Sequence, residues 1–420
     1  MNELPEKVKL LDVRVGGALA GTLVRESQYV FTYRSAEAEQ PAVSMLMPPS
    51  RTTWSDGDLF PSMDMNLPEG FLFQRIIELY PKRAITKMHL LALAGDNGIG
   101  RLGYTAGETA PKPGAAMSRQ ELLSSQAEGE FFQRLVNAYL STGAGISGVQ
   151  PKIMIPSRAS IPIPDLIVKS AGPQYPGLAA NEFICLTAAA HAGIEVPSFD
   201  LSAKGDILVI DRFDIDSAGQ RLGFEDIAAL MALRVHDRFS ERKYQGSYEA
   251  ITEVIRLFSA APGADLQRFF VQLAFSVMVR NGDAHLKNFG LLYTGNDDAR
   301  LAPMFDVVTT TVYKYERPGG FEDVDRTLAL KWRRGKKYTS KAYPTTVELL
   351  DFGRELCGVQ QPAEVLERIA DAMIRTLAEA EKDPRVSGEL LARMKEQWDI
   401  GLAYAQECKA SKSGGAATRA

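Results

Sequence analysis

Apolar and polar side chains alternate over much of the first hundred residues, the pattern of strands with one buried face. The alternation is clearest in KVKLLDVRVGGALAGTLV (7–24) and QYVFTYR (28–34). The Gly-Gly pair in the first stretch predicts a tight hairpin turn, because glycine readily adopts the positive φ that such turns need. Helical patterns begin only at GFLFQRIIELYPKRAI (70–85). We therefore predict a β-rich, self-contained subdomain over residues 1–108.

A stretch rich in proline, glycine and alanine, TAGETAPKPGAAMS (105–118), follows this subdomain. Such a composition is typical of a linker between domains. Beyond it lie a predicted helix, a Gly-rich stretch and an apolar strand ending in DLIVKSAG (165–172). A long helical pattern comes next (178–194), and strands are predicted around DILVIDRFD (206–214). We predict a β-containing lobe over residues 119–215.

From about residue 222, apolar residues recur every three or four positions, which predicts helices. The order of a β-containing lobe before a helical one is that of a protein kinase, so we predict an α+β, two-lobed fold. The helical lobe is predicted over residues 216–408. The end of the chain, KASKSGGAATRA (409–420), contains only small or polar residues and is predicted to be disordered.

Composition adds limits on function. The 420 residues are 45% hydrophobic and 24% charged, as in a globular protein of two or three domains. The formal net charge of −4 argues against a surface coated with basic residues. A basic run, KWRRGKK (331–337), is either a nucleic-acid contact or a solvated loop.

The cysteines and the hydropathy pattern suggest a cytoplasmic protein. Cys185, Cys357 and Cys408 are far apart and form no CxxC pair, so neither a disulfide framework nor a zinc site is expected. The N-terminus is charged and lacks the apolar core of a signal peptide. No uninterrupted apolar run reaches the roughly 18 residues that a membrane-spanning helix needs.

Candidate chemistry begins with a Gly-rich stretch, GAGISGVQPK (143–152). Gly143, Gly145 and Gly148 fit the GxGxxG pattern of the kinase loop that covers the phosphates of ATP. The stretch is not a Walker A loop, because the closing Gly-Lys-Ser/Thr is missing. On this pattern alone, a turn connecting two strands fits equally well.

A lysine and a glutamate follow in the order that a kinase needs. Lys169 ends an apolar strand, and Glu182 lies in the helix that follows. A lysine at a strand end often marks only the point where the strand reaches solvent. A glutamate able to pair with it favours a structural ion pair that holds the lysine against phosphates.

The stretch RNGDAHLKNFG (280–290) concentrates polar residues after a long apolar run. Asp283 and Asn288 have the D-x-x-x-x-N spacing of a kinase catalytic loop, which places a base and a magnesium-binding amide together. Lys287 could neutralise the transferred phosphoryl group. His285 could orient the loop, most simply by bonding a backbone carbonyl.

A second magnesium carboxylate is expected downstream of a hairpin. LLYTGNDDARLAP (291–303) predicts the hairpin, and Asp306 follows it in the sequence MFDVV. No glycine follows Asp306, which departs from the DFG motif of eukaryotic-type kinases. The loop, the lysine, the glutamate and the two aspartates nevertheless occur in the kinase order.

Two other interpretations of residues 280–290 were weighed. A helix C-terminus capped by Asn281 and Gly282 would account for the Asn-Gly pair but not for the polar residues after it. A metal hydrolase would need more ligands at short spacing. The remaining histidines stand outside carboxylate-rich clusters: His89, His191 and His236.

These residues resemble the HipA-type bacterial serine/threonine kinases, the toxin halves of toxin–antitoxin pairs. The resemblance covers nearly the whole chain, and residues 1–108 are similar to the small N-terminal domain of longer members. It implies a protein-kinase-like (PI3/4-kinase-like) fold with an almost entirely helical C-lobe. The segments that carry it are ISGVQPK (146–152), NEFICLTAAAHAGIEVP (181–197), VIDRFD (209–214), FEDIAAL (224–230), RNGDAHLKNFGLL (280–292) and APMFDVV (302–308).

The resemblance implies a role for each matching position. Asp283 would be the catalytic base, with Lys287 as a second catalytic residue, and Asn288 and Asp306 would hold Mg²⁺. The implied adenine hinge is Asp211, Arg212 and Phe213, with Asp214 near the ribose. The full set of implied ATP-binding residues is Ser147, Gly148, Val149, Gln150, Lys152, Lys169, Asp211, Arg212, Phe213, Asp214, His285, Asn288 and Asp306.

The resemblance also implies cofactors and partners. The cofactors would be ATP and Mg²⁺. The regulatory partner would be a small helix-turn-helix antitoxin (HipB-like) whose dimer binds operator DNA, so the kinase would reach DNA only indirectly. The protein substrate would be a translation factor such as an aminoacyl-tRNA synthetase, phosphorylated on a serine, and growth arrest and persistence would follow.

Members of this family often autophosphorylate a serine of the Gly-rich loop, and some carry Ser-x-Ser. Here Gly145 takes the first of those positions, which leaves Ser147. A phosphate on Ser147 would repel the ATP phosphates and could switch the enzyme off. Ser147 could instead cap the turn, and Ser141 and Thr142 are alternative phosphorylation sites.

Two further functions stay open on the sequence. One is a kinase fold with weak catalysis that serves mainly as a co-repressor module. The other is a kinase that phosphorylates a small-molecule alcohol.

Overall fold

The computed structural model contains two compact units, each built from several stretches of chain. Unit 1 comprises residues 1–172, 198–243 and 290–302, and unit 2 comprises residues 173–197, 244–289 and 303–420. Each unit thus combines separate stretches of chain, whereas the predicted domains were continuous ranges. The predicted domain boundaries stay a prediction. The structure describes residues 6–35, 40–69, 73, 76–78, 80–107, 117–125, 152–155, 165–170, 175–317 and 320–417.

The first sheet of unit 1 is antiparallel, with strand order β4-β3-β2-β1-β5. Gly16 and Gly17, at φ +56° and +86°, form the turn between its first two strands and confirm the predicted hairpin. Alternate side chains, including fully buried Leu11, Leu23 and Phe31, form its core. The strands are β1 (Leu10–Val15), β2 (Ala18–Arg25), β3 (Tyr29–Tyr33), β4 (Thr53–Asp56) and β5 (Leu102–Thr105).

Two more antiparallel sheets belong to unit 1, with orders β6-β7-β9-β8 and β10-β11-β12. The second lies within the range predicted as the helical lobe. Leu291 pairs with Leu301, which confirms the hairpin predicted before Asp306. The strands are β6 (Lys152–Ile155), β7 (Leu166–Ser170), β8 (Phe199–Leu201), β9 (Ile207–Asp211), β10 (Gly223–Asp226), β11 (Gly290–Tyr293) and β12 (Arg300–Leu301).

Unit 2 is mainly helical in its described residues and carries one short hairpin, β13 (Tyr315–Arg317) and β14 (Phe321–Asp323). Its 3₁₀ and π turns include Leu286–Asn288, Thr310–Val312 and Phe352–Leu356. A further 3₁₀ helix, Asp237–Tyr244, ends at the first residue of the stretch 244–289.

The helices of both units, in chain order, begin and end as follows. They are α1 (Pro61–Asp64), α2 (Lys87–Ala94), α3 (Arg119–Ser124), α4 (Leu178–His191), α5 (Ile227–Leu230), α6 (Tyr248–Phe258), α7 (Pro262–Met278), α8 (Thr346–Asp351), α9 (Pro362–Ala380) and α10 (Gly388–Ala417). Of these, α4 and α6 to α10 belong to unit 2.

Local sequence explains where several helices of unit 2 begin. Ser247 caps α6, since its side chain accepts from the backbone N–H of Ala250. Pro262 starts α7, where a missing N–H costs nothing.

The long helix α10 continues to Ala417, so residues 409–417 of the segment predicted to be disordered are helical.

The basic run 331–337 is partly paired with carboxylates inside unit 2. Three of its cations form ion pairs with carboxylates of the same unit: Arg333–Glu355, Arg334–Glu253 and Lys337–Glu348. Trp332 is buried against the rings of Tyr248 and Phe352. These contacts favour the loop interpretation over a nucleic-acid contact. Among the described residues, no helix combines the length and the hydropathy that membrane crossing requires.

Candidate functional site

The predicted catalytic loop begins where α7 ends, and Arg280, just past the helix, is the residue that terminates it. Arg280 has a φ of +60°, the left-handed conformation. The N–H of Asn281 donates to the Ser276 carbonyl at 2.8 Å, and that of Arg280 to the Val277 carbonyl at 3.2 Å. These two bonds form a Schellman motif, usually completed by glycine. Arg280 thus takes the left-handed position, and the alternative interpretation of residues 280–290, a helix capped by Asn281 and Gly282, does not describe this helix end.

Gly282 instead allows a close approach of two backbones. A Cβ at this position would lie 2.6 Å from the carbonyl oxygen of Thr327 and 2.9 Å from the Oγ1 of Thr310. The Gly282 N–H donates to that same Oγ1 at 2.8 Å. The loop is turned further by Asn281, whose Oδ1 accepts from the N–H of Asp283 at 3.0 Å. The loop is thus bound to the segments around residues 310 and 327.

Two tyrosines bind the loop through their hydroxyl groups. Tyr244 Oη donates to Asp283 Oδ1 at 2.9 Å, and Tyr248 Oη donates to the Ala284 carbonyl at 3.1 Å. Burial raises the pKa of Tyr248, which keeps this hydroxyl protonated as a donor. Both residues lie in KYQGSYEAI (243–251), a segment that resembles one of the HipA-type kinases but to which the sequence assigned no chemistry. The available signal was weak: two tyrosines four positions apart, one at the end of a 3₁₀ helix and the other at the start of α6.

Asn288 and Asp306 come together in unit 2. The Nδ2 of Asn288 donates to the backbone carbonyl of Asp306 at 3.2 Å. The Oδ1 of Asn288 is buried and has no hydrogen-bond partner among the described residues. Asp306 adopts a φ of +57°, a conformation that costs energy for a non-glycine residue and that often marks functional sites.

These two residues fit a magnesium ion. An amide oxygen without a partner and a carboxylate on the residue to which that amide bonds are the kinds of hard oxygen donor that Mg²⁺ prefers, and such sites typically take one or two protein ligands with phosphate and water completing the shell. In the described part of the chain, no group of three or more His, Cys, Asp or Glu residues could hold a metal. The donor set therefore suits a metal shared with a phosphate ligand rather than a closed protein cage.

A buried hydrogen-bond network fixes the backbone just after Asp306. Asn181 of α4 donates to the Thr309 carbonyl at 3.0 Å and accepts from its N–H at 2.9 Å. Trp398 of α10 donates to the Thr309 Oγ1 at 2.8 Å. Burial raises the pKa of the neighbouring Cys185 thiol to about 12, so it is an unreactive packing residue. Sequence reasoning missed Asn181, although it selected the adjacent Glu182.

The other predicted residues of unit 2 lie on the same elements. His285 is buried, and its ring lies edge-on to that of Tyr244, with ring centres 5.2 Å apart. Lys287 is half-buried in the 3₁₀ turn Leu286–Asn288. Glu182 is fully buried on α4. Unit 2 thus brings together Asp283, His285, Lys287, Asn288 and Asp306 on one loop and the segment that follows it.

In unit 1, Lys169 lies on β7 and is 4% exposed. Its Cα is in register with those of Lys152 on β6 and Leu208 on β9. The ion pair predicted between Lys169 and Glu182 stays a prediction, as do their roles toward ATP.

The predicted hinge residues take part in contacts within unit 1. Both oxygens of the fully buried Asp214 accept from Arg212, and one also accepts from the N–H of Gly100 at 2.6 Å. Asp211 forms an ion pair with Arg119. The rings of Phe213 and Phe224 pack edge to face, with ring centres 5.3 Å apart. In this arrangement the Asp214 carboxylate is fully engaged by protein donors, so its contact with a ribose stays a prediction.

Sequence reasoning also missed Arg221, which bonds to the segment around Gly100 that contacts Asp214. Its guanidinium donates to the carbonyls of Gly98 and Leu102 at 2.9 and 3.1 Å. Burial lowers its pKa to about 10, which still leaves it charged.

The predicted Gly-rich loop lies outside the described residues. This holds for the glycines Gly143 and Gly145, for the ATP contacts Ser147, Gly148, Val149 and Gln150, and for the alternative phosphorylation sites Ser141 and Thr142. Lys152 is described only by its backbone, in β6.

Comparison with known families shows to which family the chain belongs. The model of the HipA-like C-terminal domain matches residues 144–381, and that of the HipA N-terminal domain matches residues 11–105. The chain belongs to the HipA family. The predicted family is confirmed.

Curated relatives include members provisionally named as kinases. Kinase Y4dM of Sinorhizobium fredii is 33% identical over 186 residues, which are 41% of this chain and 42% of that protein. A Haemophilus influenzae protein is 26% identical over 238 residues, covering 53% of this chain and 65% of that protein. The chain therefore spans about two fifths to two thirds of the length of these relatives.

A solved structure shares the HipA fold. The Shewanella oneidensis MR-1 structure of the toxin–antitoxin system HipA, HipB and its operator DNA superimposes with a TM-score of 0.67. The match is 19% identical and covers 94% of this chain and 97% of that chain. The mixed helix-and-sheet fold is thereby confirmed, while the two-lobed PI3/4-kinase-like arrangement stays a prediction.

Proposed function

We propose that this HipA-family protein is an ATP- and Mg²⁺-dependent serine/threonine-protein kinase that acts as the toxin of a toxin–antitoxin system. The observation that carries the proposal is the arrangement of Asp283, Asn288 and Asp306. A carboxylate suited to act as a base lies on the same loop as an amide oxygen without a partner, and that amide is bonded to the segment of a second carboxylate. The provisional kinase names of the relatives support the same activity.

Each residue has a defined task in the proposed reaction. Asp283 accepts the proton of the attacking serine hydroxyl, whose oxygen takes the γ-phosphoryl group of ATP. Asn288 and Asp306 hold Mg²⁺, which when bound neutralises charge on the phosphates. Lys287 offsets the charge that moves with the phosphoryl group, and Lys169 contacts the ATP phosphates.

The proposed partner is a helix-turn-helix antitoxin. In the similar Shewanella structure, HipA occurs together with HipB and operator DNA. We propose that this chain likewise binds a HipB-like protein and reaches operator DNA through it. The proposed substrate is a protein of the translation apparatus, such as an aminoacyl-tRNA synthetase, and the proposed autophosphorylation site is Ser147.

The test combines labelled ATP with substitution of the base. We expect the wild-type chain to transfer the γ-phosphate of ATP to serine residues of bacterial extract proteins only when Mg²⁺ is present. Asp283→Gln should abolish transfer and growth arrest while retaining the wild-type circular dichroism spectrum. Growth arrest that persists in this variant would refute the catalytic assignment.

Phosphopeptide mapping distinguishes the alternatives. Phosphoserine in extract proteins supports a protein kinase, whereas label only in small molecules indicates a kinase of an alcohol. Binding of the antitoxin without any phosphoryl transfer indicates a co-repressor module. Ser147→Ala should remove the phosphate that the wild-type chain places on its own Gly-rich loop.

A further inference from the structure

Within the described part of the chain, one hydrogen bond holds the carboxylate of Asp283. Tyr244 Oη donates to its Oδ1 at 2.9 Å, and no other described residue donates to this side chain. Both residues are half-buried, so the bond is partly shielded from solvent. A hydrogen bond to an ionised group is stronger than one between neutral groups, and partial burial strengthens it further.

One backbone constraint and two side-chain contacts hold Tyr244 itself in place. The residue ends the 3₁₀ helix Asp237–Tyr244, so its backbone is constrained on one side. Its ring lies edge-on to His285, with the two planes at 75°. The Lys341 Nζ lies 5.5 Å from the centre of the same ring, within the range of a cation–π interaction. These packed neighbours therefore fix the orientation of the Tyr244 side chain and the direction of its hydroxyl group.

The backbone of the same loop is held independently. Tyr248 Oη bonds the Ala284 carbonyl, one residue after the base. Loss of the Tyr244 hydroxyl would therefore leave the loop attached and release only the carboxylate. A carboxylate without such a bond rotates about its Cβ–Cγ bond, and small errors in the placement of a reacting group lower rates strongly.

We propose that Tyr244 is a positioning residue for the catalytic base. It fixes the carboxylate of Asp283 through Oδ1 and leaves the second oxygen to accept the proton of the substrate hydroxyl. A tyrosine suits this task because it is a neutral donor at physiological pH, whereas a lysine or arginine would pair with the base and weaken its basicity. The proposal rests on the kinase function proposed above.

The test removes the hydroxyl and keeps the ring. For Tyr244→Phe we expect kcat for transfer from ATP to dephosphorylated casein, and to the chain itself, to fall roughly 10- to 100-fold, the effect of losing one bond to a charged group. KM for ATP should stay within about twofold, because Tyr244 acts on the base and not on the nucleotide. Tyr404→Phe is the matched control, since that hydroxyl bonds the Pro344 carbonyl at 2.6 Å, and its kcat should stay within about twofold of wild type.

Repeating the Tyr244→Phe substitution in a protein that lacks the base distinguishes a positioning role from general structural support. If Tyr244 acts through Asp283, then Tyr244→Phe causes no further loss of the residual transfer that long incubations with labelled ATP detect in an Asp283→Asn protein, because the base is already absent. A full additional loss in that background, or an unchanged kcat in the single variant, overturns the positioning role alone. A wild-type protein that transfers no phosphate to either acceptor overturns the proposed function and this inference with it.

Discussion

The buried contact between Asn181 and Thr309 offers a sharp test of how the segment after Asp306 is held. Asn181 and Thr309 are both fully buried. Replacing Asn181 with alanine removes the partners of both the N–H and the carbonyl of Thr309. The same change also removes the bond from Asn181 Nδ2 to the Tyr313 hydroxyl at 3.2 Å.

The magnitude follows from the number of groups left without partners. A buried polar group without a hydrogen bond costs about 1–3 kcal/mol, and Asn181→Ala leaves two such backbone groups. We therefore expect the free energy of unfolding to fall by about 2–5 kcal/mol. For a unit of this size, about 3 kcal/mol corresponds to a melting temperature roughly 6–12 °C lower. Because Asp306 lies on the released segment, the Mg²⁺ concentration for half-maximal activity should also rise.

The assay is thermal unfolding by circular dichroism, with Thr187→Val as the control. Thr187 lies on the same helix, but its hydroxyl bonds only the Phe183 carbonyl of that helix at 2.8 Å. Its loss should cost less than about 1 kcal/mol. If Asn181→Ala unfolds at the same temperature as this control, the argument that Asn181 holds the segment after Asp306 is refuted.

Three further predictions test other parts of the molecule. Gly282→Ala should abolish activity and destabilise unit 2, because its Cβ would lie 2.6 Å from the Thr327 carbonyl oxygen; wild-type activity in this variant would contradict the packing described for the loop. Ala232→Gly should raise stability in chemical denaturation by about 0.5–1 kcal/mol, because exposed Ala232 has a φ of +57°, whereas the same change at exposed Ala203 should not. Burial raises the pKa of Glu225, so its ionised form costs stability above that raised pKa and the cost vanishes below the ordinary value of 4.5. Glu225→Gln should therefore raise the melting temperature more at about pH 8 than at about pH 5, and the opposite trend would contradict the sign.

Much of the candidate site could be predicted because its pattern is local. The spacing of Asp283 and Asn288 is a property of six consecutive residues, and the hairpin before Asp306 follows from alternating strands around a short turn. The family assignment rests on the same local segments and is confirmed. The roles of these residues in catalysis stay predictions.

The helix cap shows where local reasoning fails. On local preference alone, Asn281 and Gly282 would form the C-terminal cap of α7, the alternative weighed for residues 280–290, since asparagine and glycine adopt a left-handed conformation most easily. The chain places Arg280 there instead, at φ +60°. Gly282 is needed elsewhere, because Thr327 leaves no room for a Cβ. A contact with a segment distant in sequence thus overrides the local preference.

By itself, the sequence determined the alternating strands of the first sheet, the apolar periodicity of the helices and the loop that carries Asp283 and Asn288, because each depends on neighbours within a few positions. Only the tertiary structure decided which side chains hold that loop. Tyr244 meets Asp283 across 39 residues of chain, and Asn181 meets Thr309 across 128. Such pairings depend on how helices and loops pack, and no periodicity or spacing along the chain encodes them directly.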